Sequence, residues 1–95
     1  MNAIESIVNV YKAKCGLRFD KDVAASLNLD SHNFSNYTKG RRRLPDLAMM
    51  KIASNTGTPL EKVMAAVNVT FINTPEGEKT FWAEQLDNLR DIAKV

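Results

Sequence analysis

Residues that stop a helix recur at short intervals along this chain, and between them the apolar side chains fall at helical spacing. Gly16, the pair Asn28-Leu29, Gly40 and Gly57 are the stops, suited to the left-handed or turn backbone that ends a helix. Segments this short are not stable in isolation and must bury their apolar stripes against one another. The pattern predicts an all-α fold, and a chain of 95 residues suits one core with at most an appended element.

Ile4, Ile7, Val8 and Tyr11 stand at i, i+3, i+4 and i+7 and predict helix 1 from Ala3 to Cys15. Asp20 is placed to cap a short helix 2, with Val23, Ala24 and Leu27 along one face. After the turn, Asp30 is suited to cap helix 3, running from Ser31 to about Lys39, with Phe34 and Tyr37 facing the core. Pro45 keeps Arg41-Arg42-Arg43-Leu44 from continuing as helix and leaves a basic loop. Helix 4 begins near Asp46, with Leu47, Met50 and Ala53 inward. Thr58-Pro59-Leu60-Glu61 reads as a capping box with proline at the first helical position, opening helix 5 with Leu60, Val63, Met64 and Val67 inward. Residues 68–73 include Val69, Thr70, Phe71 and Ile72, which fit a short strand, an extended linker or a last turn of helix 5. Thr74-Pro75 then opens an amphipathic helix 6 striped with Phe81, Trp82, Leu86, Leu89, Ile92 and Ala93.

Several function classes are disfavoured at once. One cysteine, Cys15, forms no internal disulfide, and one histidine, His32, leaves too few partners for a multidentate metal site. Cys15 has no neighbouring base and reads as structural, as Met49, Met50 and Met64 read as packing. There is no glycine-rich phosphate loop and no recognisable pair of catalytic carboxylates, so no catalytic residue, metal, cofactor or small-molecule ligand is assigned and no enzyme is expected. Met1 to Val10 carry Glu5 and no preceding basic run, unlike a signal peptide, and no stretch approaches the roughly 18 apolar residues that span a bilayer. The expectation is a cytoplasmic protein with no membrane partner. A net charge of +2 says little by itself, but residues 1–45 hold eight lysines and arginines against four carboxylates, and residues 46–95 hold five against seven. The basic half is where an anionic partner would dock.

Two short helices around a tight turn, within Asp20 to Lys39, have the layout of a unit whose second helix enters the DNA major groove. Val23-Ala24-Ala25-Ser26-Leu27-Asn28-Leu29, then Phe34-Ser35-Asn36-Tyr37 and Lys39-Gly40, resembles the Cro/CI (XRE) helix-turn-helix family of phage repressors. The resemblance extends without gaps through Pro45-Asp46-Leu47 and Ile52-Ala53 and covers roughly residues 3 to 67. Members commonly have glycine where Asn28 stands, Ile or Val at Phe34, and Gln at Asp20, whose base or phosphate contact the aspartate would not make. The resemblance implies a five-helix domain over residues 1–67 and a C-terminal extension over residues 68–95 that contains helix 6. It implies that Ser31, His32, Asn33 and Asn36 read bases, while Lys21, Lys39, Arg41, Arg42 and Arg43 hold phosphates. The implied function is a transcriptional regulator, of bacterial or phage origin, acting as a repressor on a palindromic double-stranded operator.

A five-helix domain is nearly closed, so helix 6 must cover its stripe either against that domain or against another chain. A two-fold dimer suits two half-sites, which assigns Phe71, Phe81, Trp82, Leu86, Leu89 and Ile92 to a homodimer contact, with packing inside one chain as the other possibility. A second functional class is a protein-binding module, an antitoxin or anti-repressor, that keeps the helix-turn-helix and grips a protein with helix 6 and the acidic second half.

Overall fold

The computed structural model describes the backbone of residues 1–93 and the side chains of residues 1–87. Six α-helices follow one another: α1 (Ala3–Cys15), α2 (Asp20–Ser26), α3 (Phe34–Thr38), α4 (Asp46–Thr56), α5 (Leu60–Thr70) and α6 (Glu76–Ala93). A single 3-10 turn, Ser31–Asn33, leads into α3. Among the described residues there is no strand, and no helix is long and apolar enough to cross a membrane.

The first helix is closed at both ends by local chemistry. Asn2 Oδ1 accepts from the Glu5 amide at 2.8 Å while Glu5 Oε1 accepts from the Asn2 amide at 2.9 Å, a reciprocal capping box. Gly16, at φ 67°, ends the helix. The box expected at Thr58 and Glu61 does not form: the Thr58 hydroxyl pairs instead with that of Thr56 at 2.8 Å, and Pro59 occupies the cap position. Asp20 likewise does not cap α2, because it lies inside the helix behind Phe19 and its carboxylate is held by Lys12 Nζ at 2.7 Å.

One cluster of buried side chains unites the first five helices. Ile4, Val8 and Tyr11 come from α1, Val23 and Ala24 from α2 with Leu27 at its end, and Phe34 from α3. Ala48, Met49 and Ile52 come from α4, and Val63 and Val67 from α5. Each fully buried Val, Leu or Ile contributes about 1.5–3 kcal/mol from its removal from water. Tyr37, Leu29, Leu60 and Met64 pack at the edge of the cluster as expected. The inward face of α4 differs from the expectation: Leu47 and Met50 are each 52% exposed, and Ala48, Met49 and Ile52 point inward. Leu44, just before α4, is buried in the same core. Cys15 is exposed and does not pack as a structural thiol.

The segment left open by sequence resolves as helix followed by a turn. Val69 and Thr70 form the last turn of α5, Phe71 leaves in an extended conformation, and the Thr74 amide closes a turn onto the Phe71 carbonyl at 3.2 Å. The helix thus runs through position 67. α6 lies along α5 of the same chain.

Candidate nucleic-acid interface

The geometry of α2, the turn and α3 rests on one left-handed residue. Asn28 has φ 59°, the only non-glycine with positive φ among the described residues, which suits asparagine better than most side chains. The Leu29 amide reaches back to the Ala24 carbonyl at 2.8 Å, and the full burial of Ala24 leaves nothing to hold the chains apart. Lys51, on α4, reaches across to the turn: its Nζ donates to the Ser26 carbonyl at 3.0 Å and to Asn28 Oδ1 at 2.9 Å. Tyr11 and Ser26 hydroxyls bond at 2.9 Å on the α1 side. Replacing Lys51 by methionine keeps the apolar stem and removes both bonds. Lys51→Met is expected to lower stability by about 1–2 kcal/mol in urea unfolding, the scale of hydrogen bonds from a charged donor; an unchanged midpoint would show that the brace is idle.

Asp30 opens the segment after the turn, as its sequence position predicts. Oδ1 accepts from the His32 amide at 3.0 Å and Oδ2 from Asn33 Nδ2 at 3.3 Å. Ser31 and His32 are exposed, and Asn33 and Asn36 are half-buried beside them. Asn36 sits at a junction. Its backbone carbonyl accepts from the Arg41 and Arg42 amides at 2.9 and 3.0 Å, and its Oδ1 accepts from Arg41 Nη1 at 3.3 Å. Asn36 Nδ2 is 3.5 Å from Asn33 Oδ1, at the outer limit of a hydrogen bond. The Asn36 amide is therefore pinned at its oxygen and leaves donor capacity at Nδ2. Of the four residues expected to read bases, Asn33 and Asn36 meet through their side chains, and Ser31 and His32 stand exposed in the 3-10 turn that leads to them.

The basic loop is fixed from below rather than loose. Leu44 is buried in the core. Gly40, at φ 77°, lies against the Thr70 backbone, and its carbonyl accepts from the Ile72 amide at 2.9 Å. Asn2 Nδ2 donates to the Thr38 carbonyl at 2.7 Å and ties the end of α3 to the start of α1. The five cations grouped by sequence fall into different situations. Lys39 and Arg42 are exposed and make no side-chain bond among the described residues. Lys21 is exposed beside the Phe19 ring. Arg41 is engaged by Asn36. Arg43 donates from Nε to Asn68 Oδ1 at 3.2 Å and lies 3.6 Å from Asp46, so it joins the loop to α5 and α4. Carboxylates nearby are partly occupied too: Asp20 by Lys12 and Asp30 by its capping bonds. Lys51, Asn2, Leu44 and Asn68 escaped sequence reasoning. The left-handed need at Asn28 was the one signal that a brace such as Lys51 had something to hold.

Of the residues assigned to a dimer contact, Phe71, Trp82 and Leu86 are half-buried and Phe81 is 51% exposed. Phe81 and Trp82 meet edge to face, with ring centroids 5.2 Å apart. Leu89 and Ile92 lie outside the residues whose side chains are described. Comparison with protein-family models, with curated proteins and with solved structures gives no match to this chain.

Proposed function

We propose that this chain is a sequence-specific double-stranded DNA-binding regulator of helix-turn-helix type, docking residues 31–42 on the duplex. The observation that carries this reading is that Ser31, His32, Asn33 and Asn36 share one short segment with the exposed cations Lys39 and Arg42, and that Asn36 is tied to the basic loop through the Arg41 and Arg42 amides. Short polar side chains can pair with base edges, asparagine with adenine N6 and N7 and histidine with guanine acceptors. Lysine and arginine beside them hold phosphates and set the register. Arg41 then serves as a positioning residue, holding the Asn36 oxygen while it stays exposed itself. Arg43 supports the loop and is a weaker candidate for phosphate than its neighbours. A palindromic operator read by a homodimer, with repression by exclusion of polymerase, completes the proposal.

Selection of bound fragments from a random duplex library tests it, with an enriched symmetric consensus as the expected result and no enrichment at moderate salt as the result that rejects it. On the enriched duplex, Asn36→Ala and His32→Ala are expected to cost roughly 5- to 100-fold in affinity while relaxing base preference. In a salt-titrated anisotropy assay they should leave the salt slope unchanged. A uniform loss on all sequences would reassign both residues to the backbone.

The alternative, a protein-binding module that keeps this fold, draws on a different surface. Leu47 and Met50 are half-exposed on α4, and Met49, Met50, Leu60 and Met64 line a groove beside Asp46. Methionine-rich surfaces adapt to apolar partners. Binding of a protein with no enrichment of DNA would favour it.

A further inference from the structure

A carboxamide side chain is ambiguous by nature: its oxygen and its NH2 have nearly the same shape, and half a turn about the last bond exchanges an acceptor for donors. Asn33 and Asn36 sit half-buried beside one another with this freedom. Groups without it stand at either end. Asp30 offers only acceptors, and its Oδ2 lies 3.3 Å from Asn33 Nδ2. Arg41 offers only donors, and its Nη1 lies 3.3 Å from Asn36 Oδ1. Between them, Asn36 Nδ2 faces Asn33 Oδ1 at 3.5 Å. The side chains thus form one row, Arg41 donating to Asn36, Asn36 to Asn33 and Asn33 to Asp30, and this direction alone satisfies every member. Turning either amide, or both, sets oxygen against the carboxylate or N–H against the guanidinium. Neither end is diverted to an ion pair among the described residues, and the other carboxylate oxygen of Asp30 is held by the His32 amide at 3.0 Å. Contacts this long add little stability. What they fix is direction, and a charge at each end strengthens that bias.

The row occupies one N–H and one lone pair of each amide and leaves one of each for a partner. We infer that Asp30 and Arg41 are positioning residues that decide base preference without touching a base, by fixing the order in which Asn33 and Asn36 present donor and acceptor to the major groove. The order matters because A·T and T·A pairs carry the adenine N7 acceptor and N6 donor in opposite order across that groove. An amide free to turn accepts either pair. An amide locked in one direction accepts adenine on one strand and refuses it on the other. This role rests on the DNA-binding reading above and deepens it, from the residues that meet the bases to the two charges that aim them.

The test compares the parent, Asp30→Asn, Arg41→Gln and the double variant on the enriched duplex and on duplexes in which single A·T pairs of the site are exchanged for T·A. Asparagine caps a helix as well as aspartate does, so Asp30→Asn should keep the bond from the His32 amide and the thermal midpoint. It turns an N–H toward Asn33, and no arrangement of the two amides then satisfies both ends. Discrimination between A·T and T·A, roughly tenfold or more in the parent, should fall to about threefold or less. The removed negative charge raises affinity for all duplexes alike and leaves this ratio untouched. Arg41→Gln can still donate to Asn36, so it should weaken every duplex and lower the salt slope by about one while keeping the parental ratio. In the double variant the glutamine can accept instead, the whole row reverses, and discrimination should return with T·A favoured over A·T. Two substitutions that merely loosened the segment would add rather than restore. In the free protein the Asn36 side-chain amide resonance is expected to move in Asp30→Asn, relayed through Asn33; a resonance that stays in place overturns the row. If the parent binds no duplex, the regulator reading fails and takes the base-preference role with it. If the parent binds and Asn36→Ala relaxes its preference, but Asp30→Asn leaves the ratio at the parental value, this role alone is wrong.

Discussion

Gly40→Ala is expected to destabilise the fold by about 3 kcal/mol or more, the largest effect expected of a Cβ added at any of the four glycines. Two costs combine. The backbone there has φ 77°, a conformation that costs a non-glycine residue about 1–2 kcal/mol. A Cβ would also overlap the Thr70 carbonyl oxygen and come within 2.8 Å of the Thr70 carbonyl carbon. Those are backbone atoms in the last turn of α5, so relief requires moving a helix end and loosening the Ile72 amide bond to Gly40. Gly57 separates the two terms. Its φ of 71° is nearly the same, but nothing lies within 4 Å of a Cβ built there, so Gly57→Ala should cost only the conformational part. Urea unfolding of the two variants side by side checks this. For a domain of this size the Gly40 variant should melt about 15 °C below the parent. Equal losses at both positions would show that α5 does not approach the loop as closely as described.

Lys39→Glu combined with Arg42→Glu is expected to weaken duplex binding by at least about a hundredfold at moderate salt and to lower the salt slope by about two. Both side chains are exposed and unpaired among the described residues, so reversing them removes two phosphate contacts and adds repulsion without disturbing a bond inside the protein. Folding should be unaffected. Lys62→Glu is the matched control, because Lys62 lies near the start of α5 beside Ser6 and Val10 of α1, away from the loop end of that helix. If the control weakens binding as much as the double reversal, general charge rather than the loop carries the affinity. Arg43→Ala should behave differently from both. It breaks the bond to Asn68, one of two polar residues buried in the described chain, and should reduce stability before it reduces affinity.

Much of the helical order was legible because its determinants are local. The spacing of Ile4, Val8 and Tyr11 placed α1, Asp30 announced the turn into α3, and Gly16, Gly40 and Gly57 marked the stops. Misreadings arose where a local signal had two satisfiers. Thr58 and Glu61 have the spacing of a capping box, but Thr56 offers a nearer hydroxyl; Asn2 and Glu5 have the same spacing and no such rival. Asp20 could cap α2 until Lys12, eight residues away, drew its carboxylate to α1. On α4, Ala48, Met49 and Ile52 rather than Leu47 and Met50 turned inward, because the helix is held between α1 and α5, whose positions its own periodicity does not carry.

The candidate interface divides the same way. Ser31, His32, Asn33, Asn36 and the run from Lys39 to Arg43 were legible as a set, because residue type and spacing along one short segment place them together. Their separate circumstances were not. Arg43 meets Asn68 across 25 positions, Lys51 meets the Asn28 turn across 23, and Asn2 meets Thr38 across 36. What the sequence determined by itself was therefore where the chain turns and which stripes must be buried, since backbone preference and amphipathic spacing act within a few residues. Which cation braces the fold and which stays free for a partner was decided only when α4 and α5 packed behind the loop, because hydrogen bonds over such separations exist only after packing has brought their partners within reach.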